Sequence, residues 1–232
     1  MSAVSDAGLA ISMGHVNLHY RRDEDGPLAA RLLELLGLVK TDEMTLPNGS
    51  LFYRFTTNRA NLDGGDGIIY LVRLPDALGA AYAAINDALK VGQPDEHPSV
   101  AGLRAAAAQD PEHNFHVGFL LNDLAQIEER WGALKELEKT DPAFTGRLKF
   151  LANRSLPGNA EFDARLDASP IYKDVTRYAY GNNGVQAFVE TDIFVSGPLG
   201  EGLVFELDYI LPDAKSHILS RVTLTEQVLE SH

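Results

Sequence analysis

The stretch GHVNLHY, residues 14–20, alternates with the period of a strand: His15, Asn17 and His19 share one face, and Val16, Leu18 and Tyr20 share the other. An apolar face of this kind packs against a helix, which leaves both histidines on the opposite face of the sheet. The helix follows at once. RRDEDGP, 21–27, breaks the strand with charges, Gly26 and Pro27; Leu28, Leu32, Leu35 and Leu36 then recur at helical spacing, with Gly37 as C-cap. VKTDEMTLPNGSLFYRFTT, 39–57, is a hairpin about Pro47-Asn48-Gly49; DGGDG, 63–67, is a second turn and IIYLVRL, 68–74, another strand. Residues 10–75 therefore spell β-α-β-β-β.

The order begins again a hundred residues later. HNFHVGFLLND, 113–123, is a strand with Val117, Phe119 and Leu121 on one face and His116 on the other. LAQIEERWGALKELEK, 124–139, is a helix with Leu124, Ile127, Trp131 and Leu134 on one stripe, and RLKFLANRSL, VQAFVETDIFV and GLVFELDYIL supply three more strands. His15-Val16 matches His116-Val117, and Asp66 to Leu71 matches Glu201 to Glu206, which places Leu71 where Glu206 stands. The expected class is α+β, with two tandem βαβββ modules forming a curved mixed sheet around a cavity. The expected boundaries are 10–92 for the first module with a connecting helix, 93–112 for a linker, 113–211 for the second module, and 212–232 for a C-terminal extension. Residues 153–183, rich in Asn, Asp, Gly and Pro, read as a long irregular insertion of the kind that forms lids or binding loops.

Composition narrows the function classes. With 45% hydrophobic and 23% charged residues in 232, the chain has the makings of a packed core. A net charge of −13 repels polyphosphate backbones, so nucleic acid is not an expected partner. The absence of Cys excludes disulfides and thiolate ligands, so any metal is held by His, Asp or Glu. No signal peptide and no run of about 18 apolar residues is present, so neither a membrane nor export is expected and the cytoplasm is the default. GxSxG and GxxxxGK[ST] motifs are also missing, which leaves hydrolase and P-loop readings without support.

Glu206 shares a strand face with Val204 and Asp208, against Phe205, Leu207 and Tyr209. On a common sheet His15, His116 and Glu206 all point away from the helices, and two imidazoles with one carboxylate make the facial arrangement of non-haem Fe(II) oxygenases. An unpaired Glu206 in an apolar strand costs several kcal/mol, so a metal or an arginine such as Arg73 has to meet it.

HVNLHY, HVGFLLND, GLVFELDYI and the repeated element order resemble the vicinal oxygen chelate superfamily, which includes glyoxalase I, bleomycin-resistance proteins and extradiol dioxygenases. The resemblance implies metal ligands on the first and last strands of each module. With no ligand expected at Leu71, one His from each opening strand and one Glu from the final strand are similar to the extradiol set. It implies a divalent metal, Fe(II) first with Mn, Ni and Zn as alternatives, and a dioxygenase acting on a small, catechol-like aromatic substrate. The rivals are a glyoxalase-type isomerase or lyase and a metal-free binding protein of the resistance type. Module exchange in the superfamily makes a homodimer an expectation. The usual Tyr and acid/base His are missing from VQAFVETDIFV, which leaves His19, Tyr178 and Tyr180 as candidates for proton transfer.

Overall fold

The computed structural model describes residues 12–179, 182–199 and 202–211. Tyr180 and the extension 212–232 lie outside them. The chain divides into two compact units, Met1–Leu74 and Pro75–His232.

The first unit follows the expected order: β1 (His15–Tyr20), α1 (Asp25–Leu35), β2 (Val39–Thr45), β3 (Leu51–Thr56) and β4 (Ile68–Arg73). Its strands lie in the order β2-β3-β4-β1, with β1 parallel to β4. Strand alternation sends Leu18 and Tyr20 of β1 and Leu71 of β4 into the core with Leu32 and Leu33 of α1, all at most 5% exposed. Buried Tyr20 needs partners for its hydroxyl, and it donates to the Leu51 carbonyl at 2.8 Å while accepting from the Leu51 N–H at 3.1 Å. Gly26 opens α1 because a Cβ there would sit 3.1 Å from the Tyr20 ring.

The second unit begins with two helices, α2 (Asp76–Leu89) and α3 (Pro98–Gln109), and a 3-10 turn at Pro111–His113. The repeat of the module then runs β5 (His116–Leu121), α4 (Leu124–Thr140), β6 (Leu148–Asn153), α5 (Ala160–Asp167), β7 (Gly184–Thr191), the short β8 (Phe194–Val195) and β9 (Leu203–Ile210). The strand order β5-β9-β7-β6, with β5 parallel to β9, is that of the first unit. The Asp123 side chain accepts from the Ala125 N–H to start α4, whose Leu124, Ile127, Leu134 and Leu137 are buried. Trp131 meets Phe150 of β6 edge-on at 5.0 Å, which fixes the sheet face that α4 covers. No helix among the described residues is long and apolar enough to cross a membrane.

Two helices occupy stretches that the sequence reads as linker and irregular insertion. His97 caps α3 by accepting from the Ser99 N–H at 3.2 Å, and Asn159 caps α5 by accepting from the Phe162 N–H at 3.1 Å. Arg165 then ties α5 to Glu128 of α4 through two bonds of 2.9 and 2.5 Å, and the Ser169 hydroxyl adds a third at 2.6 Å. Since Arg165 is partly exposed, Arg165→Ala is expected to cost only about 1 kcal/mol. Limited proteolysis checks this, with faster cleavage within residues 154–179 as the expected result.

The strand registers also correct the alignment of the modules. His15 lies opposite Ile68 and His116 opposite Val204; two residues on, Asn17 faces Tyr70 and Gly118 faces Glu206. Tyr70, not Leu71, therefore stands where Glu206 does. The six-residue match was one position out, and in a strand one position moves a side chain to the opposite face. Leu71 is fully buried in the core, as is Leu207.

Candidate metal centre

In the first unit, the polar face of β1 forms as alternation requires. His15 is exposed and its ring lies 5.1 Å from that of Tyr70. His19 is half-buried with its Nε2 3.2 Å from Nδ2 of Asn17, and burial lowers its pKa, so the neutral ring is favoured.

In the second unit, residues directly opposed on neighbouring strands share a face, which builds three rows on the side of the sheet away from α4. They read Leu120, Asp208, Gln186, Asn153; then Gly118, Glu206, Phe188, Leu151; then His116, Val204, Glu190, Lys149. Val204 and Phe188 are apolar and buried, so the polar groups of the first two rows, with His116, gather around Glu206.

His116 and Glu206 come together as expected, with Nε2 3.4 Å from Oε2. The other imidazole nitrogen, Nδ1, stands 3.0 Å from the Asn114 carbonyl. A carbonyl only accepts, so Nδ1 carries a proton toward Asn114 while Nε2 faces a carboxylate oxygen of Glu206.

A relay of amides fixes the carboxylate. The Arg177 Nε–H donates to Oδ1 of Asn153 at 3.1 Å, Nδ2 of Asn153 donates to Oε1 of Gln186 at 3.1 Å, and Nε2 of Gln186 donates to both Glu206 at 2.6 Å and Glu112 at 2.7 Å. Arg177 has no acceptor, so each amide in turn has one permitted orientation. Both N–H groups of Gln186 end on carboxylates.

Asp208 follows Glu206 on the same face and is 7% exposed. Burial first, then the neighbouring Glu206 and Glu112 charges and a hydrogen bond to Glu206, push its carboxyl up to about 9. It therefore holds a proton at neutral pH and donates it to Glu206, while its Oδ1 is buried without a partner. Burial likewise raises Glu112. Among the described residues no Lys or Arg side chain bonds to Glu112, Glu206 or Asp208; the nearest route to a cation is through Asn153 to Arg177.

Two atoms that share a cation at about 2.1 Å stand roughly 3 Å apart at right angles, close to the separation of His116 and Glu206. Only this pair of atoms stands at such a separation: among the described residues no group of three or more His, Asp or Glu side chains is placed to hold a metal ion. A cleft of about 330 Å³ opens on Asn114, whose carbonyl anchors His116, and is lined also by Arg104, Lys149 and Glu190.

Other expected residues go elsewhere. Tyr178 is half-buried and pairs through its backbone with Arg154; its neighbour Arg177 is the residue that reaches the relay. Glu190 and Asp192 pair with Lys149 at 2.9 Å and Arg147 at 2.7 Å, and Arg73 with Asp23 at 3.1 Å. Gln186, Asn153, Glu112 and Asp208 were not singled out from the sequence. Strand parity places Asp208 beside Glu206, but nothing in the linker marks Glu112.

No protein-family model matches the sequence, and no curated protein matches it. Among solved structures, the chain is similar to a glyoxalase-superfamily protein from Ralstonia eutropha JMP134, at 11% identity and a TM-score of 0.25 over 91% of this chain and 76% of that one. It is also similar to a fusion of a xylose isomerase-like TIM barrel with 4-hydroxyphenylpyruvate dioxygenase, at 13% identity and a TM-score of 0.22. That match spans 88% of this chain and 26% of the fusion protein. The repeated βαβββ order and the matching strand registers of the two units are themselves the architecture that a vicinal oxygen chelate resemblance implies.

Proposed function

We propose that the chain is a metal-dependent enzyme of the vicinal oxygen chelate type, and that it acts as an Fe(II) dioxygenase on a small catechol-like substrate. The observation that carries the reading is the approach of Nε2 of His116 to Glu206, 3.4 Å, in a cluster of carboxylates to which no Lys or Arg bonds among the described residues. When bound, the ion brings a chelating substrate and O2 together and passes electron density between them.

The chain's own residues prepare that chemistry. The Asn114 carbonyl holds Nδ1 of His116, and Gln186 holds one oxygen of Glu206 while the other lies toward the imidazole. The cleft beside Asn114 is of a size for a small molecule, and its lining mixes Arg104 and Lys149 with Glu190 and Asp192. His19, kept neutral by burial, is a base in kind; its role is read from turnover lost at unchanged metal content. Tyr178 is tested in the same way.

Anaerobic reconstitution with Fe(II) and metal analysis test the centre. His116→Ala is expected to lose bound iron more than tenfold; undiminished iron in that variant sinks the reading. His15→Ala, measured alongside, decides whether the first module supplies a further ligand. Oxygen uptake with a panel of catechols then tests the reaction, and retained metal without uptake moves the reading to isomerase or lyase chemistry with Mn, Ni or Zn.

A further inference from the structure

Arg177 belongs to the insertion, yet its guanidinium ends at the candidate site. The insertion runs beside the end of β6: the Arg154 N–H donates to the Arg177 carbonyl at 3.0 Å, and the Ala179 N–H donates to the Arg154 carbonyl at 2.8 Å. That pairing sets Arg177 next to Asn153, the last residue of β6, whose side chain is fully buried.

The guanidinium makes two bonds that lead to the same place. Its Nε–H donates to Oδ1 of Asn153, and the relay runs on through Gln186 to Glu206 and Glu112. An Nη1–H donates to the Gln109 carbonyl at 2.6 Å, at the C-terminal end of α3, where carbonyls lack helical partners and a cation is favoured. From Gln109 to Glu112 the chain has little freedom. The buried Asp110 side chain accepts from the Glu112 N–H at 3.0 Å, its carbonyl accepts from the His113 N–H at 3.1 Å, and Pro111 between them has a fixed φ. The Gln109 carbonyl therefore carries Glu112 with it, and the two routes from Arg177 close into a ring at Gln186.

We propose that Arg177 is a positioning residue of the candidate site: it holds both the Gln186 amide that donates to Glu206 and the turn that brings Glu112 to the same amide. The inference rests on the reading that Glu206 works in that site. The insertion is then a member of the site, joined to it by one side chain. Without the guanidinium, Oδ1 of Asn153 is a buried acceptor with no donor, and Asn153 regains one only by turning its N–H away from Gln186. Arg177 serves here as a group that donates and never accepts, so Lys replaces it in part and a hydrocarbon of similar length does not.

Nuclear magnetic resonance of the 15N-labelled full chain, following solvent exchange of the Gln186 side-chain amide protons, tests the assignment without any metal. Arg177→Met is expected to speed their exchange at least about tenfold, while the backbone amides of β7 keep their wild-type rates. Arg177→Lys is expected to restore most of the protection. Exchange within about twofold of the wild type in the Met variant overturns the inference, as does equal acceleration across β7, which marks a role in folding alone, or a Lys variant no slower than the Met one. Should the Met variant fail to fold by circular dichroism, Arg177→Gln takes its place under the same criteria. Iron loading is measured apart from this, so a chain that binds no iron defeats the reading of the metal centre and leaves the role of Arg177 to be decided by the Gln186 protons.

Discussion

Metal-free Asp208→Asn is expected to melt higher than the wild type at pH 8 and level with it at pH 4. The carboxyl has an ordinary value of 3.8 and stands at about 9 in the folded chain. Below pH 4 the folded and unfolded chains both hold the proton, and the stability attached to it is fully present. As pH rises past 4 the unfolded chain releases the proton while the folded chain keeps it, so stability falls steadily until the folded group itself titrates near 9. Each unit of separation is worth about 1.4 kcal/mol. The sign is therefore fixed, and the gain of the asparagine variant over the wild type grows as pH rises from 4 to 8. The asparagine removes the titration and flattens the slope between pH 4 and 8. Calorimetric scans across that range decide the matter; a variant that melts below the wild type at pH 8 would show that the buried acid stabilises the fold.

Gln186→Leu is expected to be the most damaging single change in the cluster. Gln186 is 1% exposed, and its two N–H groups are the donors to both Glu112 and Glu206. A leucine of similar volume leaves Glu112 without its donor and Glu206 with only the Asp208 proton, and it leaves Nδ2 of Asn153 without its acceptor. Removing one partner from a buried charged network costs about 3–5 kcal/mol, against an overall stability on the order of 5–15 kcal/mol. Urea denaturation measures the loss as a fall in midpoint. Acidifying to pH 4 is expected to recover part of it, since protonated carboxyls repel less; a loss under 1 kcal/mol at pH 8 would show that the carboxylates find other donors.

Much of the fold was legible because each module is written in strong local signals. Val16, Leu18 and Tyr20 alternate, Pro47-Asn48-Gly49 turns a hairpin, and Leu28, Leu32, Leu35 and Leu36 mark a helical stripe. What escaped was weaker in kind. α3 buries only Val100, so it carries no stripe to separate it from a linker. α5 has its apolar pair at Phe162 and Leu166, but eight residues amid Asn, Asp, Gly and Pro do not outweigh their surroundings. The candidate site was half legible. Parity put His116, Glu206 and Asp208 on one face, and the repeat drew attention to His116 and Glu206 alone. Glu112 reaches the cluster from a 3-10 turn and Arg177 from the insertion, and no periodicity in sequence reports such contacts.

The matched registers of the modules let equivalent positions be compared one by one. Asn17 and Tyr70 of the first module stand where Gly118 and Glu206 stand in the second, and Val72, opposite His19, where Asp208 stands opposite Leu120. The second unit carries the acidic cluster on this face, and the first carries the leading histidine with the Tyr70 ring against it, so one backbone pattern presents two different chemistries.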